Sequence, residues 1–256
     1  MNETFDLVQS IETPKNQDPY LPRTNNLQSE IFLTLQTRHA QALVRGRDLS
    51  GQPRIQGLVG FADRVRLIWA GAQRNDPYAD WWLIKIEDSI STRLRFISTN
   101  HEEVKKKLDQ TRAIRITPAE SKDPFRIQLR FGTPFGFRAA SMLANFDALT
   151  RDSLTAKHIG MLTSTQCQEM IYDQVKKIRS LFNLPFTYRF FNVDRLCPES
   201  WIDVREQAER LMGVIPDDVL NGTRRARLAP DIQVNEKTDI PAILDQDVAT
   251  KAVLGS

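Results

Sequence analysis

The segment with the clearest chemical potential is residues 125–131, FRIQLRF, in which apolar side chains alternate with Arg126, Gln128 and Arg130. A strand with this period of two places the three polar side chains on one face. Arginine can donate two hydrogen bonds to guanine, glutamine can pair with adenine, and a two-stranded β-ribbon fits the DNA major groove. The pattern therefore predicts a face that reads bases, against the alternative of an ordinary exposed strand face in an α+β domain.

Two amphipathic helices are predicted after this strand. The first covers residues 134–158, and the second begins at the hydroxyl cluster Thr163, Ser164 and Thr165. Hydroxyls and backbone N–H groups at a helix N-terminus can hold a phosphate. Strand, helix, helix in this order is similar to the ribbon-helix-helix DNA-binding module, although the first helix of that module is shorter.

A second run of the same kind precedes it in the chain. Residues 31–36 alternate as a strand with Thr34 and Gln36 outward, and helices are predicted over residues 37–45 and within residues 54–74. The sequence leaves open which of the two strands forms the ribbon. Because a ribbon needs two strands, we expect a homodimer on a two-fold symmetric site.

Two basic clusters are further candidates for DNA contact. Arg138 closes a basic stretch that begins at Arg126, and Arg224 and Arg225 lie in the run TRRAR. Such short runs are also typical of a solvated surface. With 35 Lys and Arg against 32 Asp and Glu, the net charge of +3 is too balanced to indicate nucleic-acid binding by itself.

The remaining pattern predicts further elements. Asp76 and Pro77 start a helix, Asn100 caps another, and residues 113–117 pair with residues 125–131 as a hairpin. Residues 186–193 are predicted as a strand, and a last helix with Trp201, Val204, Ala208 and Leu211 on its apolar stripe ends before Gly213. Three of the four tryptophans lie within residues 69–82 and predict a core anchor, with an aromatic ligand cage as the alternative.

These elements describe one predominantly helical α+β domain, with amphipathic helices around a small antiparallel sheet or ribbon. We place the domain at residues 27–228, between flexible tails at residues 1–26 and 229–256. We find neither a secretory signal nor an apolar run of bilayer length, so we expect a cytoplasmic protein without membrane contact.

The residues of the common catalytic and cofactor motifs are missing. The sequence holds no phosphate-binding glycine loop, nucleophile elbow or zinc-protease motif. His39, His101 and His158 lie on separate segments, and Cys167 and Cys197 have no ligand neighbours at metal spacing. We therefore expect no enzyme activity, no metal and no cofactor, with an enzyme of unrecognised site as the remaining alternative.

Several long stretches carry a resemblance to a known family. They are residues 57–72 (GLVGFADRVRLIWAGA), 76–84 (DPYADWWLI), 134–158, 188–190 (YRF) and 216–225 (PDDVLNGTRR). Over about residues 29–228 the chain resembles a family of conserved integrating conjugative element proteins, related to the ribbon-helix-helix-like AcaB regulators of conjugative transfer genes. The resemblance implies a transcriptional regulator of transfer or maintenance genes that binds promoter or operator DNA of its mobile element. The alternative is a scaffold component of the element's DNA-processing or transfer machinery, with a protein partner from the same element.

Overall fold

The computed structural model describes residues 31–47, 55–109, 116–202 and 204–233. In chain order the elements are β1 (Ile31–Leu35), α1 (Arg38–Arg45), α2 (Leu58–Gln73), α3 (Pro77–Asp109), β2 (Phe125–Leu129), α4 (Pro134–His158), α5 (Ser164–Asn183), α6 (Arg205–Met212) and α7 (Asp217–Leu220). Turns of 3-10 helix cover Leu184–Thr187 and Pro198–Trp201. The predicted class, mainly helical with a small antiparallel sheet, is confirmed. Of the predicted tails, residues 1–26 and 234–256 lie outside the described ranges.

The two predicted strands pair with each other in a single antiparallel ribbon. The register places Ile31 opposite Leu129 and Leu35 opposite Phe125, with Leu33 opposite Ile127 at the centre. The two strands that the sequence offered as alternatives therefore pair with each other, and each supplies one edge of the ribbon. One chain completes the ribbon, so the reason given above for a homodimer no longer holds.

The hairpin predicted between residues 113–117 and β2 is wrong in its described part. Ile116 and Thr117 belong to no strand, residues 113–115 lie outside the described ranges, and β1 takes the place beside β2. An alternating pattern determines which side chains share a face, but it does not determine the partner strand.

The helix starts follow the predicted capping residues. The Asp76 carboxylate accepts hydrogen bonds from the N–H groups of Tyr78, at 2.8 Å, and Ala79, at 3.2 Å, at the start of α3. At the start of α5, Thr163 and Gln166 form a reciprocal capping box. Helix α4 has the predicted bounds, Pro134–His158.

Two other predictions are wrong. Asn100 starts no new helix, because it lies inside α3, a helix of 33 residues that keeps Ile97 and Val104 on its buried side. Residues 186–193 form no strand: a 3-10 turn ends at Thr187, and the following residues are irregular. Their apolar side chains pack individually, as Tyr188 does when its hydroxyl donates to the Asp76 carboxylate at 2.6 Å.

The last predicted helix is shorter than expected. Trp201 lies in a 3-10 turn, and α6 begins at Arg205 and ends before Gly213. Ala208 is buried as predicted, whereas Leu211 is exposed.

The tryptophan-rich segment anchors the core, as predicted. Trp82 is buried, and Trp69 and Trp81 pack partly buried against the same core. The Lys85 ammonium covers two of the rings, with Nζ 3.3 Å from the Trp81 centroid and 3.7 Å from the Trp82 centroid. A cation of the chain itself therefore lies against these rings. Among the described helices, none is both long enough and apolar enough to cross a membrane.

Candidate nucleic-acid interface

The outward face of the ribbon collects the polar residues that the strand pattern indicated. Arg126 and Gln128 of β2 are exposed, and so is Arg130 immediately beyond it. The register adds two exposed residues of β1, with Thr34 opposite Arg126 and Phe32 opposite Gln128. The inward side chains of both strands, Leu33, Leu35 and Leu129 among them, are buried in the core. The ribbon therefore has one face buried in the core and one face exposed to solvent.

Phe32 shapes this outward face, and the sequence analysis missed its role. Its ring is 42% exposed, and the guanidinium carbon of Arg126 lies 4.2 Å from the ring centroid. Stacking orients the plane of the guanidinium and leaves its N–H edge available for hydrogen bonds. In the described part of the chain, no carboxylate forms an ion pair with Arg126 or Arg130.

A buried carboxylate fixes the ribbon on α4. Asp147 accepts hydrogen bonds from the N–H of Gln36 at 2.7 Å, the N–H of Thr37 at 2.8 Å and the hydroxyl of Thr37 at 2.7 Å. The side chain of Gln36 in turn accepts a bond from the N–H of Ser121 at 2.9 Å, in the segment before β2. Hydrogen bonds to a charged acceptor are stronger than neutral ones, so Asp147 holds the end of β1 firmly. The sequence pattern predicted that Gln36 points outward, but its side chain contacts the segment before β2 instead.

A basic flank adjoins the ribbon where α1 passes the Phe125 end. Two clefts there are lined by the side chains of Arg38, Gln41, Arg45 and Lys122, together with Asp123. Arg38, Arg45 and Lys122 are exposed. We call these three residues the basic flank. The sequence signal for it was the seven-residue spacing of Arg38 and Arg45, which places both on one side of α1.

Arg138 lies between two helices instead of pointing to solvent. Its guanidinium donates to the Glu87 carboxylate at 2.9 Å and to the Ser91 hydroxyl at 2.9 Å, both on α3. These contacts join α4 to α3. Because these contacts hold its guanidinium against α3, we leave Arg138 out of the interface.

Arg225 takes part in a buried charge network. Its guanidinium binds both carboxylate oxygens of Asp80, at 2.9 and 3.0 Å, and Arg195 contacts the same carboxylate at 2.7 Å. Asp80 is fully buried, so Arg225 neutralises a charge in the core. The neighbouring Arg224 is exposed and lies 3.5 Å from Asp218. The structure thus gives Arg225 a stabilising role.

The hydroxyl cluster at the start of α5 lies away from the ribbon. From Asp147, which contacts the end of β1, to His158 the helix extends about 16 Å at 1.5 Å per residue, and Thr163 follows beyond it. The Thr163 hydroxyl is used in its own capping box, while Ser164 and Thr165 are exposed. The structure therefore does not bring Thr163, Ser164 and Thr165 together with Arg126.

A known family covers most of this chain. The model of the transcriptional regulator AcaB matches residues 23–233. The chain belongs to the AcaB family of transcriptional regulators. The resemblance seen in the sequence is thereby confirmed. A crystal structure of selenomethionine-containing AcaB from uropathogenic E. coli matches with 13% identity and a TM-score of 0.46, over 77% of this chain and 98% of that one. None of the curated proteins compared with the chain matches it.

Two of the three histidines of this AcaB-family chain contact other side chains. His101 of α3 lies 2.7 Å from the Asp152 carboxylate of α4, a pairing that the sequence did not indicate. His39 packs edge-on against Tyr172. In the residues that the structure describes, no group of three or more His, Cys, Asp or Glu side chains is arranged to hold a metal ion.

Proposed function

We propose that this AcaB-family protein regulates transcription by placing the outward face of its ribbon in the major groove of double-stranded DNA. The observation that carries the proposal is a complete ribbon whose exposed face presents Arg126, Gln128 and Arg130, with the two guanidinium groups outside any described ion pair. Arginine and glutamine side chains on a ribbon are suited to guanine and adenine edges. The DNA is a promoter or operator of an integrating conjugative element, and the protein acts on it in the cytoplasm by binding, without catalysis.

The basic flank supports the same docking geometry. Arg38, Arg45 and Lys122 line clefts at one end of the ribbon, where the phosphates that border the groove would pass. Phosphate contacts position a protein on the duplex, whereas base contacts provide the sequence specificity. A balanced net charge of +3 is compatible with binding because these cations are concentrated beside the ribbon.

A homodimer remains part of this proposal, but its role differs from the one expected from the sequence. Because β1 and β2 of one chain form the ribbon, a second chain is not needed to complete it. Association of two chains would instead place two ribbons on neighbouring sites of one promoter. Light scattering of the protein alone and on DNA measures which species binds.

A fluorescence anisotropy titration on promoter fragments of the protein's own element tests the proposal. If the basic flank makes three phosphate contacts, the affinity should fall about 40-fold as the salt concentration rises from about 50 to about 200 mM. Promoter DNA should bind more tightly than random DNA at both salt concentrations. Absence of selective binding at the lower salt concentration would overturn the proposal.

A pair of double variants assigns the binding to the ribbon. Arg126→Ala with Arg130→Ala should sharply reduce the preference for promoter over random DNA, since it removes two base contacts. Arg205→Ala with Arg210→Ala removes the same charge from exposed positions on α6 and should leave the preference intact. If both double variants lose the preference for promoter DNA to the same extent, the ribbon is not the surface that reads the DNA sequence.

A second function, a protein-interaction component of the element's DNA-processing machinery, is favoured by one observation. Four large apolar side chains between residues 196 and 214 are exposed: Leu196, Ile202, Leu211 and Val214. The four residues are close in the sequence, and exposed apolar side chains that form one patch are typical of a protein-binding surface. A pull-down from cells that carry the element, with and without nuclease, separates the two functions. A protein partner that survives nuclease supports this second function.

A further inference from the structure

The ribbon has a local two-fold relationship that its side chains break. Each strand is followed by two helices, α1 and α2 after β1, and α4 and α5 after β2. The strands are antiparallel and centred on the pair Leu33 and Ile127. A two-fold axis through this pair maps Phe32 onto Arg126 and Thr34 onto Gln128. The same axis relates the inward residues Ile31 to Phe125 and Leu35 to Leu129, and all four are apolar. The outward residues that it relates differ in their chemistry.

From this asymmetry we infer that a single chain reads one non-palindromic DNA site, an inference that rests on the proposed function. In a ribbon made from two identical chains, the same outward residues occur twice, and the site is a palindrome. Here both strands belong to one chain and present different side chains to the two halves of the site. The helices that follow the strands differ as well, with 8 residues in α1 and 25 in α4.

The cross-strand pairs indicate which bases each half prefers. Phe32 and Gln128 lie opposite each other, and this pair matches an A·T base pair, because glutamine pairs with adenine and phenylalanine contacts the thymine methyl group. Thr34 and Arg126 form the next outward pair, where the arginine matches guanine. At about 3.3 Å per residue the two pairs are about 7 Å apart along the strands. This separation corresponds to roughly two base-pair steps of 3.4 Å.

The same chemistry makes Phe32 and Thr34 specificity residues. Neither is basic, so neither contributes to the electrostatic attraction that all DNA sequences share. Phe32 acts on the half of the site that it shares with Gln128, and Thr34 acts on the half that it shares with Arg126. Arg130 lies beyond β2 and outside both pairs.

Selection of bound duplexes from a random DNA library tests the inference with the full chain. We expect a motif without two-fold symmetry, with an A·T pair and a G·C pair about two steps apart. Native mass spectrometry of a selected duplex of roughly 15 base pairs, about one and a half helical turns, should show one chain per duplex. A palindromic motif with two chains per duplex would overturn the inference while leaving the proposed function intact. Failure to enrich any motif would overturn the proposed function itself.

A symmetrising variant provides the second arm of the test. Phe32→Arg with Thr34→Gln gives β1 the outward residues of β2, and the selected motif should become palindromic. The matched control is Phe96→Arg with Thr99→Gln, which makes the same changes at exposed positions on α3 and should keep the wild-type motif. An unchanged motif in the symmetrised protein, with its fold intact by circular dichroism, overturns the inference. If that variant does not fold, the wild-type motif and stoichiometry decide.

Discussion

The guanidinium carbon of Arg126 lies 4.2 Å from the ring centroid of Phe32, across the two strands of the ribbon. The two residues are 94 positions apart in the sequence, and only the pairing of β1 with β2 brings them together. Their contact presents an ordered arginine beside an apolar surface on the outward face. This combination suits the edge of a base and its methyl group better than it suits a phosphate.

Substitution of Phe32 by leucine should weaken selective DNA binding about two- to five-fold, because an exposed cation–π contact contributes about 0.5–1 kcal/mol. Anisotropy titration on the selected site measures the effect. Phe96→Leu is the control, since Phe96 is a similarly exposed ring, 45% exposed, beneath the Lys177 ammonium on another part of the surface. Equal affinity of Phe32→Leu and wild-type protein would show that the stack does not order Arg126 for binding.

Loss of the Asp147 carboxylate should loosen the ribbon and destabilise the fold. Asp147→Ala leaves two backbone N–H groups and the Thr37 hydroxyl without their acceptor, at a cost of about 3 kcal/mol in the free energy of unfolding. Urea denaturation measures this cost. Asp173→Ala, which breaks an exposed ion pair with Lys177 on α5, should cost less than about 1 kcal/mol. Similar stabilities of the two variants would contradict the role of Asp147.

The two neighbouring arginines of the TRRAR run should behave differently. Arg225→Ala removes one of two guanidinium partners from the buried Asp80 and should lower the free energy of unfolding by about 3 kcal/mol. Arg224→Ala affects only exposed pairs and should cost less than about 1 kcal/mol. Thermal and urea unfolding compare them directly. If Arg225→Ala is as stable as wild type but loses selective DNA binding, Arg225 belongs to the DNA interface and its stabilising role is contradicted.

The contribution of Asp76 to the free energy of unfolding should fall as the pH rises from about 4 to about 6. Burial raises the pKa of Asp76 from 3.8 to about 6, against the opposing effect of its hydrogen bonds to Tyr188, Ala79 and Tyr78. Below pH 3.8 the native and unfolded states both bind the proton, and the raised pKa costs no stability. Between the two pKa values only the native state keeps the proton. Stability then decreases by about 1.4 kcal/mol per pH unit, or about 3 kcal/mol in total.

Asp76→Asn tests this effect because it removes the titrating group and keeps a side chain that can cap α3. The stability of the wild type relative to the variant, from urea denaturation at several pH values, should decline by about 3 kcal/mol between pH 4 and pH 7. Asp88→Asn makes the same substitution at an exposed site on α3 and is the matched control. If the free energies of unfolding of wild type and Asp76→Asn change in parallel with pH, the raised pKa of Asp76 would be contradicted.

Local signals predicted much of the fold. The apolar stripe and the flanking Pro134 predicted both ends of α4, and the hydroxyls near Thr163 predicted the start of α5. Period-two alternation found β1 and β2. Their pairing was missed because the partner of a strand depends on contacts distant in sequence, here close to 100 residues apart. Asn100 suggested a helix start by its residue type, but the continuous apolar face of α3 outweighs that preference.

The exposed polar face of the candidate site was predicted in part for the same physical reason. The strand pattern found Arg126, Gln128 and Arg130 because neighbouring residues alone determine their shared face. Arg225, like Arg138, was misjudged as a surface cation because its carboxylate partner lies on α3, 145 residues away. Phe32 was read only as one member of an alternating strand, since its contact with Arg126 exists only in the assembled ribbon. Charge clusters show where cations are, but the fold determines which of them remain available.

Methylation interference tests most directly whether the ribbon reads bases in the major groove. Guanine N7 is a major-groove acceptor, so its methylation should block binding wherever an arginine donates to it. With wild-type protein we predict interference at the guanines of the bound site. With Arg126→Ala the interference should vanish at one guanine and persist at the others, while the Arg205→Ala control should keep the full pattern. An identical pattern for wild type and Arg126→Ala, or no interference at any guanine, would contradict the account.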